Sequence, residues 1–266
     1  MVAVLLPGLS WSRECEPTDS TVGCCLKLFV EQPQRCTGVE ALEVQARTRP
    51  VLTGAAVALT ATAMAVTPGL VPAEKRGVEL AADPLRKVEA AIAQCTKDAE
   101  EEVNRFVLKG KRPDAALCWE STPHGVKWAI HLGILKHVAA WPCLEMALEK
   151  VLPGRFLLEP RFTFDEKLGK WKYLDPETVN RIVNQLGWSG LRGTIAPDIV
   201  LLDAKGTIIH VYDIKFPCPY ENRGKWDVRV DQDGNESNQG RIYHGIFRVM
   251  PQLVTPREGV IRGSGI

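Results

Sequence analysis

Residues 197–215 contain two apolar, β-branched runs separated by a polar turn, and this pattern constrains the fold more than any other part of the chain. The runs are Pro197–Leu202 and Thr207–Lys215, and the four-residue turn between them ends in Gly206. Such a pattern predicts a β-hairpin. Each predicted strand also carries an ionisable residue for which a buried strand has no structural use.

The ionisable residues of this hairpin are predicted to lie on one face. Alternation along the second strand places Val211, Asp213 and Lys215 together. With the two ends of the turn paired, Asp198 lies opposite Val211 and diagonal to Asp213. Diagonal cross-strand neighbours are roughly 7–8 Å apart, so one divalent ion can bridge the two carboxylates. A one-residue change of register would move Asp198 to the other face.

The order of these residues resembles the PD-(D/E)xK nuclease signature. Pro197-Asp198 is followed, fifteen positions after the aspartate, by Asp213-Ile214-Lys215. Downstream, Gln239 and Tyr243 resemble the Q-x-x-x-Y element of the RecB-like branch of that superfamily. The similarity covers roughly the last half of the chain. It implies a core made of a helix, a β-meander that carries the motif, a second helix and a further strand.

The resemblance implies metal-dependent hydrolysis of phosphodiester bonds, with Mg²⁺ or Mn²⁺ as the cofactor. Asp198 and Asp213 would be metal ligands, joined by the Ile214 carbonyl, because Mg²⁺ prefers hard oxygen ligands. A metal held in this way lowers the pKa of a bound water and polarises the phosphate. Lys215 would orient that water or stabilise the charge that develops on the phosphoryl oxygens.

The family also places an acidic residue on the helix before the meander. Residues 141–154 are predicted to form a helix, with Pro142 in its first turn and a Pro-Gly stop. Glu145 lies about 110° from the centre of the apolar stripe, and Glu149 about 150°. Glu145 is therefore the better candidate for a further catalytic and metal-binding residue. A solvated helical glutamate is the alternative for either position.

Gln239 and Tyr243 are four residues apart and share a face of a helix predicted over residues 239–250. Gln239 is predicted to bond a metal-bound water or the substrate, and Tyr243 a phosphate. A polar helix cap and a core tyrosine are the alternative.

Four residues around this helix and the loop before it are candidates for nucleic-acid binding, DNA more than RNA. The cations can contact phosphates and the indole can stack on a base; the residues are Arg223, Lys225, Trp226 and Arg241. Solvated cations in a loop are the alternative. The net charge of +1 argues against an extended nonspecific DNA binder, although it is compatible with a compact cleft.

The element pattern predicts an α/β (α+β) domain over residues 77–266, with a restriction-endonuclease-like core. Its helical part is expected over residues 77–152 and its motif-bearing core over 141–266, with a central mixed sheet flanked by helices. A strand from Arg155 to Phe164 and a short inserted helix from Pro176 to Leu186 are expected before the hairpin.

Neither the histidines nor the later cysteines predict a metal site by their spacing. His124, His131 and His137 are separated by seven and six positions, which does not bring two of them onto one helix turn. The later cysteines are scattered and predicted to be small buried apolar residues; they are Cys95, Cys118, Cys143 and Cys218.

Residues 1–76 are predicted to form an irregular leader. Its cysteines, at 15, 24, 25 and 36, do not match the paired spacing of a zinc site. Residues 51–67 are uncharged and weakly apolar, which suggests an export role or transient membrane contact. A buried Ala-rich helix is the alternative.

A leader followed by a compact nuclease is similar in organisation to bacterial polymorphic-toxin and type VI secretion effectors. The chain is then expected to be exported or delivered into the cytoplasm of a target cell, and to require a cognate immunity protein with an acidic surface. The alternatives are a DNA-repair or defence nuclease, and a catalytically inactive binding domain that retains the nuclease fold.

Overall fold

The computed structural model of the chain describes residues 80–122, 126–186, 188–191, 193–230 and 236–263. The predicted leader, with its four cysteines and the apolar segment 51–67, lies outside the described residues. None of the helices in the described part has the length and apolar character that a membrane span requires.

The described chain alternates helices and short strands. Its helices are α1 (Ala82–Val107), α2 (Ala115–Trp119), α3 (Trp128–Val151), α4 (Pro176–Leu186), α5 (Gln239–Phe247) and a 3₁₀ turn at Trp188–Leu191. Its strands are β1 (Phe156–Leu158), β2 (Arg161–Asp165), β3 (Lys170–Leu174), β4 (Ile199–Leu202), β5 (Ile208–Ile214), β6 (Val228–Val230), β7 (Glu236–Asn238), β8 (Gln252–Thr255) and β9 (Gly259–Ile261).

A five-stranded mixed sheet in the order β1-β4-β5-β8-β9 forms the centre of the molecule. Strands β5 and β8 are parallel, and the other neighbours are antiparallel. Helices α1 and α3 cover one face, where Ile92 and Leu144 pack with Tyr212. Helix α5 covers the other face, where Tyr243 packs with Val211. The predicted mixed sheet flanked by helices is confirmed.

Helix α3 runs without interruption through Pro142. The prediction that a separate helix begins at residue 141 is therefore wrong. A proline inside a helix removes one hydrogen bond and costs about 3 kcal/mol. The buried stripe continues across it, from Leu132 and Leu135 to Leu144 and Leu148, and burial of these side chains offsets that cost.

The hairpin of β4 and β5 forms as predicted, but its register differs by two residues. The amide of Asp203 bonds to the carbonyl of Thr207, so the turn is one residue longer than expected. A β-bulge at Ile209 adds a second shift. Two single shifts restore the alternation of faces. Since Ile199 pairs with Tyr212, the same register continued by one pair places Asp198 directly opposite Asp213.

All four cysteines of the described residues are in disulfides, which corrects the prediction that they are scattered, small buried apolar residues. Cys95 of α1 bonds to Cys143 of α3. Cys118 of α2 bonds to Cys218, which follows β5 by four residues. The first bond joins two packed helices, and the second tethers the segment that leaves the predicted motif.

Candidate metal centre and its lysine

Three acidic residues, Glu159, Asp198 and Asp213, lie side by side in a row on or directly next to the neighbouring strands β1, β4 and β5. Leu158 pairs with Ile199 at the end of the β1–β4 ladder, and the same register continued by one position places Glu159 opposite Asp198. The amide of Glu159 donates to the carbonyl of Asp198 at 2.8 Å. Asp198 in turn lies opposite Asp213. The strand register, rather than any local sequence motif, therefore brings the three carboxylates together.

His137 reaches this row from α3. Its Nδ1 lies 3.5 Å from Asp198 Oδ1 and makes no hydrogen bond with the described residues, although it is buried. Ligand atoms of His137, Glu159 and Asp198 all lie within 4.8 Å of one another. One cation can span that spacing, and the unpaired nitrogen and the carboxylates are the ligands that divalent metals accept.

Burial makes the charged forms of these groups unfavourable. It raises the pKa of Asp198 to about 7. Burial and then the charge of Asp198 raise the pKa of Asp213 to about 7 and that of Glu159 well above its usual value. Burial also lowers the pKa of His137 to about 4, so its imidazole is neutral near pH 7 and has a lone pair to offer. The donor set therefore fits a divalent cation.

The Ile214 amide donates to Asp198 Oδ2 at 2.5 Å, which fixes this carboxylate against β5. That contact involves the amide nitrogen of Ile214. The predicted role of the Ile214 carbonyl as a metal ligand stays a prediction.

Lys215 is surrounded by three oxygen atoms. Its Nζ lies 2.8 Å from Asp213 Oδ2, 2.7 Å from Asp227 Oδ2 and 2.9 Å from Gln239 Oε1. Burial opposes the charge of Lys215, but the carboxylates of Asp213 and Asp227 outweigh it and raise the pKa of the lysine above its ordinary value. Lys215 is therefore a cation at neutral pH.

Gln239 contacts Lys215 directly, and Tyr243 holds Gln239 by a hydrogen bond. Because an ammonium only donates, Gln239 Oε1 faces Lys215 and Nε2 donates to the Tyr243 hydroxyl at 2.7 Å. That hydroxyl lies 3.2 Å from the Ala196 carbonyl and 3.4 Å from Asp213 Oδ1. Tyr243 is only 1% exposed, and its predicted contact with a phosphate stays a prediction.

Helix α5 packs closely against Trp226 of the preceding loop at Gly240, which has no side chain. A Cβ on Gly240 would lie 2.6 Å from the indole of Trp226, which no side chain tolerates without movement. Trp226 is 7% exposed and packs edge-on against Tyr243. The predicted stacking of Trp226 on a base is therefore not supported, because its ring belongs to the core.

An open cleft of about 570 Å³ adjoins the lysine. Lys215 and Asp227 both line it, together with Arg223 and Lys225 on the segment after β5. Arg223, Lys225 and the more distant Arg241 on α5 are exposed. The cleft therefore carries two of the three cations that were predicted to contact phosphate.

Glu145 is exposed on α3, and the structure does not bring it into the group just described. It lies eight residues beyond His137 on the same helix, which is about 12 Å along the axis. Glu149 is also exposed, and its carboxylate accepts from the Gly154 amide. The structure instead brings His137 and Glu159 close to Asp198.

Comparison of the chain with protein-family models, curated proteins and solved structures found no match. The chemistry that the site can perform therefore follows from its own residues.

Proposed function

We propose that the chain is a metal-dependent nuclease of the PD-(D/E)xK type that hydrolyses phosphodiester bonds in DNA. The observation that carries this proposal is the contact of Lys215 with Asp213 at 2.8 Å, on the strand next to Asp198. A cationic amine beside two buried carboxylates, with an unpaired imidazole nitrogen close by, has the composition of a phosphoryl-transfer site.

The order of elements around the site supports the same proposal. Helix α3 precedes the antiparallel meander β1-β4-β5, helix α5 follows it, and β8 then pairs in parallel with β5. This is the succession that the resemblance implies for a restriction-endonuclease-like core. The hairpin β2-β3 and helix α4 are inserted between the first two strands of the meander.

His137, Glu159 and Asp198 would hold the metal, with Asp213 completing the acidic row. When bound, Mg²⁺ or Mn²⁺ supplies Lewis-acid polarisation of the phosphate and a water of lowered pKa. Lys215 neutralises charge on the phosphoryl oxygens, because its ammonium remains protonated at neutral pH. Gln239 and Tyr243 hold that ammonium in place.

The disulfides support maturation outside the cytoplasm. Disulfides such as Cys95–Cys143 and Cys118–Cys218 are typical of proteins that fold in oxidising compartments. This favours an exported toxin, as the organisation of the sequence suggests, over a cytoplasmic repair nuclease. Toxicity on delivery, relieved by co-expression of an adjacent gene for an immunity protein, would test that role.

Cleavage assays with matched variants test the proposed activity. Wild-type chain is incubated with linear DNA, circular DNA and RNA, with Mg²⁺ or with chelator. We expect cleavage of DNA that chelator abolishes, and a loss of at least about 100-fold in rate for Asp213→Asn because Lys215 loses its buried ion-pair partner and the metal site loses an adjacent negative charge. Glu145→Gln, exposed on α3, is the control and is expected to retain wild-type activity.

Folding of both variants is checked by far-UV circular dichroism. Equal behaviour of wild type and Asp213→Asn on every substrate would contradict the proposal and leave the catalytically inactive binding domain.

A further inference from the structure

Asp227 contacts the site lysine although no motif in the sequence points to it. An ammonium has three N–H donors, and three protein oxygens already lie 2.7–2.9 Å from Lys215 Nζ. They belong to Asp213, Asp227 and Gln239. Asp227 and Gln239 accept hydrogen bonds from Lys215, and Asp213 forms an ion pair with it. These oxygens occupy the space around the ammonium, so an oxygen of a substrate phosphate reaches Lys215 most closely where one of them moves away.

The three acceptors of Lys215 differ in how strongly the protein fixes their positions. The Asp213 side chain is 3% exposed on a central strand. Gln239 is 7% exposed and is fixed by its bond to Tyr243. The Asp227 side chain, in contrast, is 70% exposed. An exposed ion pair is weak because both charges keep much of their hydration and are screened by salt. Asp227 is therefore the acceptor that leaves at the least cost.

The cleft lies on the side of Asp227. Lys215 and Asp227 line it together, and Arg223 and Lys225 give it positive charge. A phosphate that enters the cleft is attracted by these cations and is in reach of the position that the Asp227 carboxylate holds.

We propose that Asp227 is an exchangeable acceptor that holds Lys215 in the free protein and gives way to a non-bridging oxygen of the substrate phosphate. This inference rests on the proposed nuclease function. Its consequence is that Asp227 lowers the affinity for the nucleic acid, because each binding event must break the Asp227–Lys215 pair. Removal of the carboxylate should tighten binding without slowing the chemical step.

The substitution Asp227→Asn tests this directly and is not expected to disturb folding. The structural bond of Asp227 is made by its backbone carbonyl, which accepts from the Gln239 amide at 2.8 Å. Glu221→Gln is the matched control. Glu221 is exposed and lines the same cleft, so its substitution removes one negative charge there, but it is not one of the three acceptors of Lys215.

The experiment measures kcat and KM on a labelled DNA oligonucleotide over a series of salt concentrations, and fluorescence anisotropy for binding of the same oligonucleotide. For Asp227→Asn we expect KM and the dissociation constant to fall about two- to fivefold, with kcat within about twofold of wild type. The salt dependence of log affinity should become steeper by up to about 0.9, because one more cation is free to displace counterions. Glu221→Gln should change KM less.

Two results would overturn the inference while the nuclease function stands. One is a fall in kcat of about tenfold or more with unchanged KM, which would make Asp227 a positioning residue for Lys215. The other is an equal fall in KM for both variants, which would show a general charge effect. A wild-type chain that neither binds nor cleaves the oligonucleotide would overturn the proposed function and this inference together.

Discussion

Asp198 and Asp213 are buried side by side, and burial disfavours the charged form of each carboxyl. Burial raises both pKa values to about 7, from an ordinary value of 3.8. Lys215 is the cation in direct contact with Asp213, and it also pairs with Asp227. A divalent ion between these carboxylates would replace their protons and supply positive charge that the described side chains do not match.

Metal removal is therefore expected to make stability depend on pH. Folding raises the pKa of each carboxyl from 3.8 to about 7. Each carboxyl therefore contributes its whole share of the folding stability below pH 3.8, and this contribution is lost as the pH rises through about 7. His137 acts in the opposite sense, since its pKa falls to about 4 and its contribution is lost only as the pH drops below its ordinary value of 6.5. Metal binding competes with the protons of the carboxyls and favours the neutral imidazole.

Thermal unfolding with EDTA and with Mn²⁺ measures this effect. We expect the Tm difference between the two conditions to widen as the pH rises from about 5 to about 8, because fewer protons compete with the metal. A difference that stays constant over this range would contradict metal binding by these carboxyls.

Asp198, Asp213 and Lys215 could be singled out from the sequence because they interrupt or border apolar strands, where ionisable residues are unusual. His137 and Glu159 could not. Glu159 joins the site through the pairing of β1 with β4, and His137 through the packing of α3 near the end of the sheet. The signal that was available for Glu159 is its position directly after an apolar strand and before Pro160.

Among the elements, the β4–β5 hairpin places Asp198 and Asp213 on the same face, as predicted, although its register differs from the predicted one. The predicted turn was one residue too short, and the bulge at Ile209 was not visible in an apolar run. The two shifts add to two residues, which is the period of a strand, so Asp198 and Asp213 remain on one face. A single shift would have separated them.

The disulfides could not be predicted from the sequence because each joins distant parts of the chain. Which cysteines pair depends on how the helices pack, and the spacing of the cysteines along the chain does not show it. Cys118–Cys218 spans 100 residues and ties α2 to the segment that lines the cleft. Cys95–Cys143 spans 48 residues and ties α1 to α3. The two bonds should therefore affect different properties of the protein.

Replacement of both Cys118 and Cys218 by Ala is expected to lower the free energy of unfolding by about 2–4 kcal/mol and also to raise KM. The increase in KM is expected because Arg223 and Lys225 lose their tether. The matched control replaces Cys95 and Cys143 by Ala, which should cost similar stability and leave KM unchanged. Urea unfolding and steady-state kinetics measure the two quantities, and an unchanged KM in both pairs would show that the tether does not shape the cleft.

In the molecule as a whole, the mixed sheet separates two layers of helices. Helices α1 and α3 build the larger core on one face, and α5 brings Gln239 and Tyr243 to the other. The site lies where α3, the meander and α5 meet, so each layer contributes a side chain to it. The order of the predicted elements indicated a central sheet flanked by helices, because the apolar stripe of a helix and the apolar face of a sheet are buried by packing together.

The proposed function depends on one divalent cation bound among His137, Glu159 and Asp198, next to Asp213 and Lys215. Anomalous difference density from crystals grown with Mn²⁺ measures this most directly. We expect a peak about 2.0–2.3 Å from Nδ1 of His137 and from a carboxylate oxygen of Asp198, which is typical of a bound divalent metal. A fully occupied Mn²⁺ site elsewhere on the chain, with no peak between these side chains, would contradict it.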